Sequence, residues 1–197
     1  MYADGKGVAE SDKEAARWYR LAADQGHASA QCNLNNMYAD GKGVAQSDME
    51  AARLYLLAAD QGDGSAQCNL GTMYQQGQGV AQSNKEAARW YRLAADQGYA
   101  QAQSNLGIMY DLGQGVAQSD MEAARWYRLA ADQGYAQAQS NLGIMYQQGQ
   151  GVARSDKEAA RWYRLVADQN YANAQYNLGN MYAIGQGVPQ SDKEAAR

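Results

Sequence analysis

With 197 residues, a net charge of −4, 15 Tyr and no Phe, the chain is acidic and lean in large, wholly apolar side chains. Its sequence pI near 5.0, with Lys and Arg spread out rather than clustered, argues against a nucleic-acid partner, which calls for a basic stripe. No apolar stretch approaches the ~18 residues of a membrane span, and the single His, His27, cannot assemble a metal site or a catalytic triad.

The opening MYADGKG reads as the tail of a helix. No charged-then-apolar leader is visible, and cytoplasmic, periplasmic and secreted locations all stay open. From Ser11 the chain reads SDKEAARWYRLAADQG. Ser11 with Glu14 three residues on is a capping box, and Ala15, Ala16, Tyr19, Ala22 and Ala23 then recur at helical spacing. A helix over about Asp12 to Gln25 is expected, with Gly26 as its left-handed stop. The next segment, His27 to Gly43, places Ala30, Leu34, Met37 and Tyr38 on one helical face, and Gly41 ends it. A G-x-G-V loop leads to the next Ser cap. It lacks the later Gly and Lys of a phosphate-binding loop and follows no strand, so neither a nucleotide nor any other cofactor is expected.

These two helices return throughout the chain. WYRLAADQGYAQAQSNLGIMY begins at Trp90 and begins again at Trp126, an interval of 126 − 90 = 36. Met1, Met37, Met73, Met109, Met145 and Met181 keep that step, as do Trp18, Trp90, Trp126 and Trp162, with Leu54 in the gap. Self-similarity of this length marks a solenoid. The expectation is an all-α protein in which helix-turn-helix units stack along one repeat array over 1–197. It comprises a partial repeat at 1–10, helix pairs through 11–190 and a partial helix at 191–197. Gly71, Gly107, Gly143 and Gly179 fall mid-helix, where Gly costs ~1 kcal/mol against Ala. The offset is expected to be close approach of the partner helix. Asn35 holds the same place, so its unit is expected to pack more loosely.

The pattern A-x-A-Q-x-N-L-G-x-M-Y-x-x-G-x-G-V-x-x-S-D-x-x-x-A-x-x-W-Y-x-x-A-A-D-Q-G, legible from Ala100 onward, resembles the Sel-one-like repeat family, relatives of the tetratricopeptide repeats. The resemblance spans essentially the whole chain. It implies a right-handed superhelix of antiparallel helix pairs, found in bacterial proteins among others, that acts as a scaffold for protein–protein contacts. Some secreted members carry a disulfide in each repeat. Cys32 and Cys68 lack in-repeat partners and, at equivalent places in adjacent helix pairs, lie beyond disulfide reach; two free thiols are expected. A few members are described as binding or slowly hydrolysing β-lactams. Nothing here carries that chemistry over: nearly every residue recurs, whereas catalysis needs an unrepeated nucleophile and base. The chain is therefore expected not to be an enzyme, and a β-lactam or cell-wall hydrolase stands as the alternative by family analogy alone.

By the same resemblance, the first helix of each pair lines the concave face. A protein or peptide partner would meet Gln101 and Gln137, then Ser104, Ser140 and Tyr176, then Ile108 and Ile144, rows that vary between repeats. Between them runs an unvaried row, Asn33, Asn69, Asn105, Asn141 and Asn177. Each amide offers one donor group and one acceptor, which matches a peptide unit. The row could hold an extended main chain, or each Asn could bond the neighbouring helix and keep the stack in register. Two readings of the incomplete end helices also stay open: a segment of a longer array, or ends that stack head to tail on other copies. Repeats also differ at Gln75 and Asp111, Gln76 and Leu112, Asn84 and Asp120, and Lys85 and Met121, positions read as released from framework duty.

Overall fold

The computed structural model describes residues 11–195; Met1, the partial repeat at 1–10 and residues 196–197 lie outside the described residues. Among those described there is no strand. Eleven helices run α1 (Asp12–Ala23), α2 (Ala28–Asp40), α3 (Asp48–Asp60), α4 (Gly64–Gln76), α5 (Asn84–Asp96), α6 (Ala100–Leu112), α7 (Asp120–Asp132), α8 (Ala136–Gln148), α9 (Asp156–Ala167), α10 (Ala172–Ile184) and α11 (Asp192–Ala195). They fall into two compact units, Met1–Gln97 with α1 to α5 and Gly98–Arg197 with α6 to α11. Within each unit, consecutive helices pack on one another.

Local chemistry sets the boundaries. Ser11, Ser47, Ser83, Ser119 and Ser155 each accept the N–H of the Glu three residues on, a cap worth ~1 kcal/mol. The first helix of each pair stops at a left-handed Gly, such as Gly149 at φ 74°. α1 ends two residues earlier than its sequence suggests. Gln25 and Gly26 bond back three residues, to Ala22 and Ala23, and tighten the chain into a turn before Gly26 at φ 83°. Asn170 takes the left-handed conformation (φ 65°) that Gly holds elsewhere.

The core is thin and built from small residues that admit a few rings. Trp90 is 4% exposed and packs on Ala58, Ala59, Ala66 and Leu70; in the second unit Trp162 does the same with Ala130, Ala131, Ala138 and Leu142. Burying such a ring contributes roughly 4–6 kcal/mol from area alone. The mid-helix glycines serve the Tyr next to that Trp. A Cβ on Gly143 would lie 2.7 Å from the ring of Tyr163, and one on Gly71 would lie 2.7 Å from Tyr91. Asn35 occupies that place opposite Tyr55, and Tyr55 is only half-buried, so this unit is looser, as its sequence suggests.

A set of buried glutamines cross-links the units internally. Gln139, 4% exposed, donates to the carbonyl of Ala131 at 3.0 Å in the preceding pair and accepts from Gln169 at 3.3 Å. Gln67 does the same between Ala59 (3.0 Å) and Gln97 (2.8 Å). Both glutamines are plain in the repeated A-Q and D-Q-G, but periodicity alone does not reveal that they meet.

Candidate functional site

The first helices are nearly free of charge. α4, α8 and α10 contain no ionisable acid or base beyond Tyr and the Cys68 thiol, and α6 adds only Asp111. Charged side chains sit on the second helices, where Glu86–Arg89, Glu122–Arg125 and Glu158–Arg161 pair at 3.2–3.3 Å on solvent-exposed turns. What the first helices offer to a partner is amides, hydroxyls and a few apolar tips.

In the second unit these groups surround a groove of about 680 Å³ between α8 and α10. Its walls hold Gln137, Ser140, Asn141 and Ile144 from α8, and Asn173 and Asn177 from α10, with Gln169 and the rings of Tyr135 and Tyr171 at the helix starts. Five of the residues singled out in the sequence thus come together: Gln137, Ser140, Asn141, Ile144 and Asn177. The lining carries no Asp, Glu, Lys or Arg. Its size suits a short extended segment rather than a domain.

The remaining candidates divide. Gln101 is exposed, Asn105 is half-buried, and Ile108 packs against the α7–α8 core. Tyr176 stands 70% exposed but does not line the groove. Ser104, expected on the open face, is 1% exposed, whereas Ser140 at the same place in the next pair is half-buried and lines the groove. In the first unit Asn33 is exposed and Asn69 half-buried.

The Asn row has inward obligations as well. Asn69 donates to the Tyr55 hydroxyl at 3.1 Å, and Asn141 accepts from Gln137 at 3.2 Å and lies near enough to the Tyr127 hydroxyl to lower its pKa. Burial raises the Tyr127 pKa, Asp111 adds to the rise, and Asn141 opposes it. Positions 75 and 147 are not released from framework duty: Gln75 and Gln147 accept the hydroxyls of Tyr91 and Tyr163 at 3.0 Å.

Sequence reasoning missed Tyr135 and Tyr171. Both occupy the residue before a first helix, where His27 and Asp63 cap the helix with their side chains and these tyrosines make no such bond. An aromatic at a capping place was the available signal. His27 likewise is a cap, its Nδ1 accepting from Ala30 at 3.4 Å. Both cysteines are free thiols. Burial pushes the Cys68 thiol up to about 11 and, with Asp63, raises that of Cys32, so neither is an activated nucleophile. Among the described residues no group of three or more His, Cys, Asp or Glu could hold a metal ion, and no helix is long and apolar enough to cross a membrane.

A family model described as Sel1 repeat matches residues 1–27, 28–63, 64–99, 100–135, 136–171 and 172–197. The chain is similar in structure to a protective antigen of uropathogenic Escherichia coli with an SLR fold, at 38% identity and a TM-score of 0.95, over 98% of this chain but 42% of that one. It is similar to a Sel1 repeat protein of Oxalobacter formigenes at 35% identity and a TM-score of 0.83, over 87% of this chain and 71% of that one. An immunity protein of Pseudomonas aeruginosa shares the fold, at 23% identity and a TM-score of 0.59, over 92% of this chain and 68% of that one. No curated protein sequence matches.

Proposed function

The chain belongs to the Sel1 repeat family, whose solenoids generally serve protein–protein interaction, and from that premise we propose that it binds an extended peptide or a partner's exposed segment along its first-helix face. The observation that supports this reading most is the uncharged, amide-lined groove between α8 and α10. Asn141 and Asn177 stand on adjacent first helices and present the donor and acceptor that a peptide unit needs. Gln137, Ser140 and Ile144, which vary between repeats, set preference for side chains. No nucleophile–base pair accompanies them, so the reading is a binding scaffold and not a hydrolase.

The test is capture of partners by the purified chain, identification by mass spectrometry, and titration of the captured segment against the Asn141→Ala/Asn177→Ala double variant. Affinity is expected to fall by roughly tenfold or more, about one lost hydrogen bond per amide, with melting within a few degrees of wild type. A collapse in melting temperature with unchanged affinity would make the row a packing device. Because the groove has no charge, binding is expected to change by less than about threefold between 50 and 500 mM salt.

A further inference from the structure

Two methionines stand apart from the rest. Met37, Met73, Met109, Met145 and Met181 lie in the first helices and are 0–7% exposed. Met49 and Met121 open the second helices α3 and α7 and are 68% and 72% exposed. They hold equivalent places, 121 − 49 = 72 residues apart, and Lys13, Lys85, Lys157 and Lys193 hold that place in the other repeats.

We propose that Met49 and Met121 are selective, structurally tolerated oxidation sites for hydrogen peroxide or a related two-electron oxidant. The thioether sulfur attacks one peroxide oxygen and the O–O bond breaks. That oxygen stays on sulfur as the sulfoxide. The O–O electron pair leaves with the other oxygen, which takes up the proton released by the transferred oxygen and departs as water, so that sulfur loses two electrons and the peroxide gains two. Access decides the rate, and five of the seven described methionines are sealed in the helix-pair core. Tolerance follows from the lysines: a place that carries an ammonium in sister repeats does not rely on an apolar tip for folding.

The mark changes a surface. Met121 lines an outer groove of about 310 Å³ in the second unit with Ala124, Leu129, Val152, Arg125, Arg128 and Asp132. Oxidation replaces an apolar tip at its rim with a strong hydrogen-bond acceptor. A reductase that acts on sulfoxides reverses the change, and no buried group is disturbed in either direction.

Trypsin provides an internal control. Met109 and Met121 fall on one peptide, 93–125, and Met49 falls on 43–53. The folded chain is treated with graded hydrogen peroxide, quenched, digested and sequenced by tandem mass spectrometry. Met49 and Met121 are expected to oxidise at least about tenfold faster than Met109, with the difference abolished in denaturant. Melting of the oxidised, folded chain is expected to stay within about 2 °C of the untreated chain. Equal rates at Met109 and Met121 in the folded chain overturn the selectivity, and a large fall in melting temperature at two oxidations per chain overturns the tolerance.

Discussion

Tyr55 and Tyr163 occupy the same place in two repeats and meet different fates. Tyr163 is fully buried over Gly143, and its hydroxyl donates to Gln147 at 3.0 Å. Tyr55 faces Asn35, is half-buried, and its hydroxyl receives the amide of Asn69 instead. Asn35 itself is 0% exposed and makes no hydrogen bond of good geometry, although it lies near enough to the Tyr55 hydroxyl to lower its pKa. The repeats differ beside these rings too: Leu54 stands for Trp162, and Ala39 stands for the Gln147 that accepts from Tyr163. Where Gly143 stands, its missing Cβ is what leaves the ring room, and the small residue is therefore a packing device rather than a flexible joint.

Transplanting the difference should break it. Gly143→Asn places a side chain where even a Cβ would sit 2.7 Å from the Tyr163 ring, which must swing out. Losing most of that burial is expected to cost about 3 kcal/mol in urea unfolding, with Tyr163 fluorescence becoming accessible to a quencher. A loss below about 1 kcal/mol would mean that the pair separates cheaply and that glycine is not what holds these helices close.

The reverse exchange is smaller and opposite in sign. Asn35→Gly removes a buried amide without a well-formed partner, relief worth about 1–3 kcal/mol, against a few tenths for the poorer helix former. A net gain of about 1 kcal/mol is expected, with Tyr55 less accessible to a quencher. Destabilisation instead would show that the Asn35–Tyr55 contact is a genuine bond.

Much of this was legible in the sequence because repetition writes the packing several times over. The Ser caps, the Gly stops, the free thiols and the mid-helix glycines all follow from residue type at a fixed interval. The groove was half legible. Gln137, Ser140, Asn141, Ile144 and Asn177 are found by asking which first-helix positions face outward, but Tyr135 and Tyr171 enter it from the turn before the helix, where helical spacing makes no statement. Ser104 and Ser140 are one residue type at one helical angle and differ in exposure, a difference that helical spacing does not register. Gln139 and Gln169 meet only through tertiary placement, 30 residues apart in sequence.

The smallest expected effect lies outside neutral pH and sharpens the same comparison. Burial pushes the Tyr163 phenol up to about 12 from 10.0. The Tyr55 phenol is also raised by burial, but Asn35 and Asn69 pull it back by favouring its charged form. A phenol that ionises later in the folded state than in the unfolded chain contributes stability that is fully present below pH ~10 and is lost as pH climbs toward 12. The unfolding midpoint is therefore expected to hold steady up to about pH 10 and fall above it. Tyr163→Phe, less stable at pH 8 for want of the Gln147 bond, should fall less steeply than wild type between pH 10 and 11.5, and Tyr55→Phe should change that slope less. Equal slopes in both variants would mean that the two rings are desolvated alike, and that Gly143 and Asn35 do not distinguish their surroundings after all.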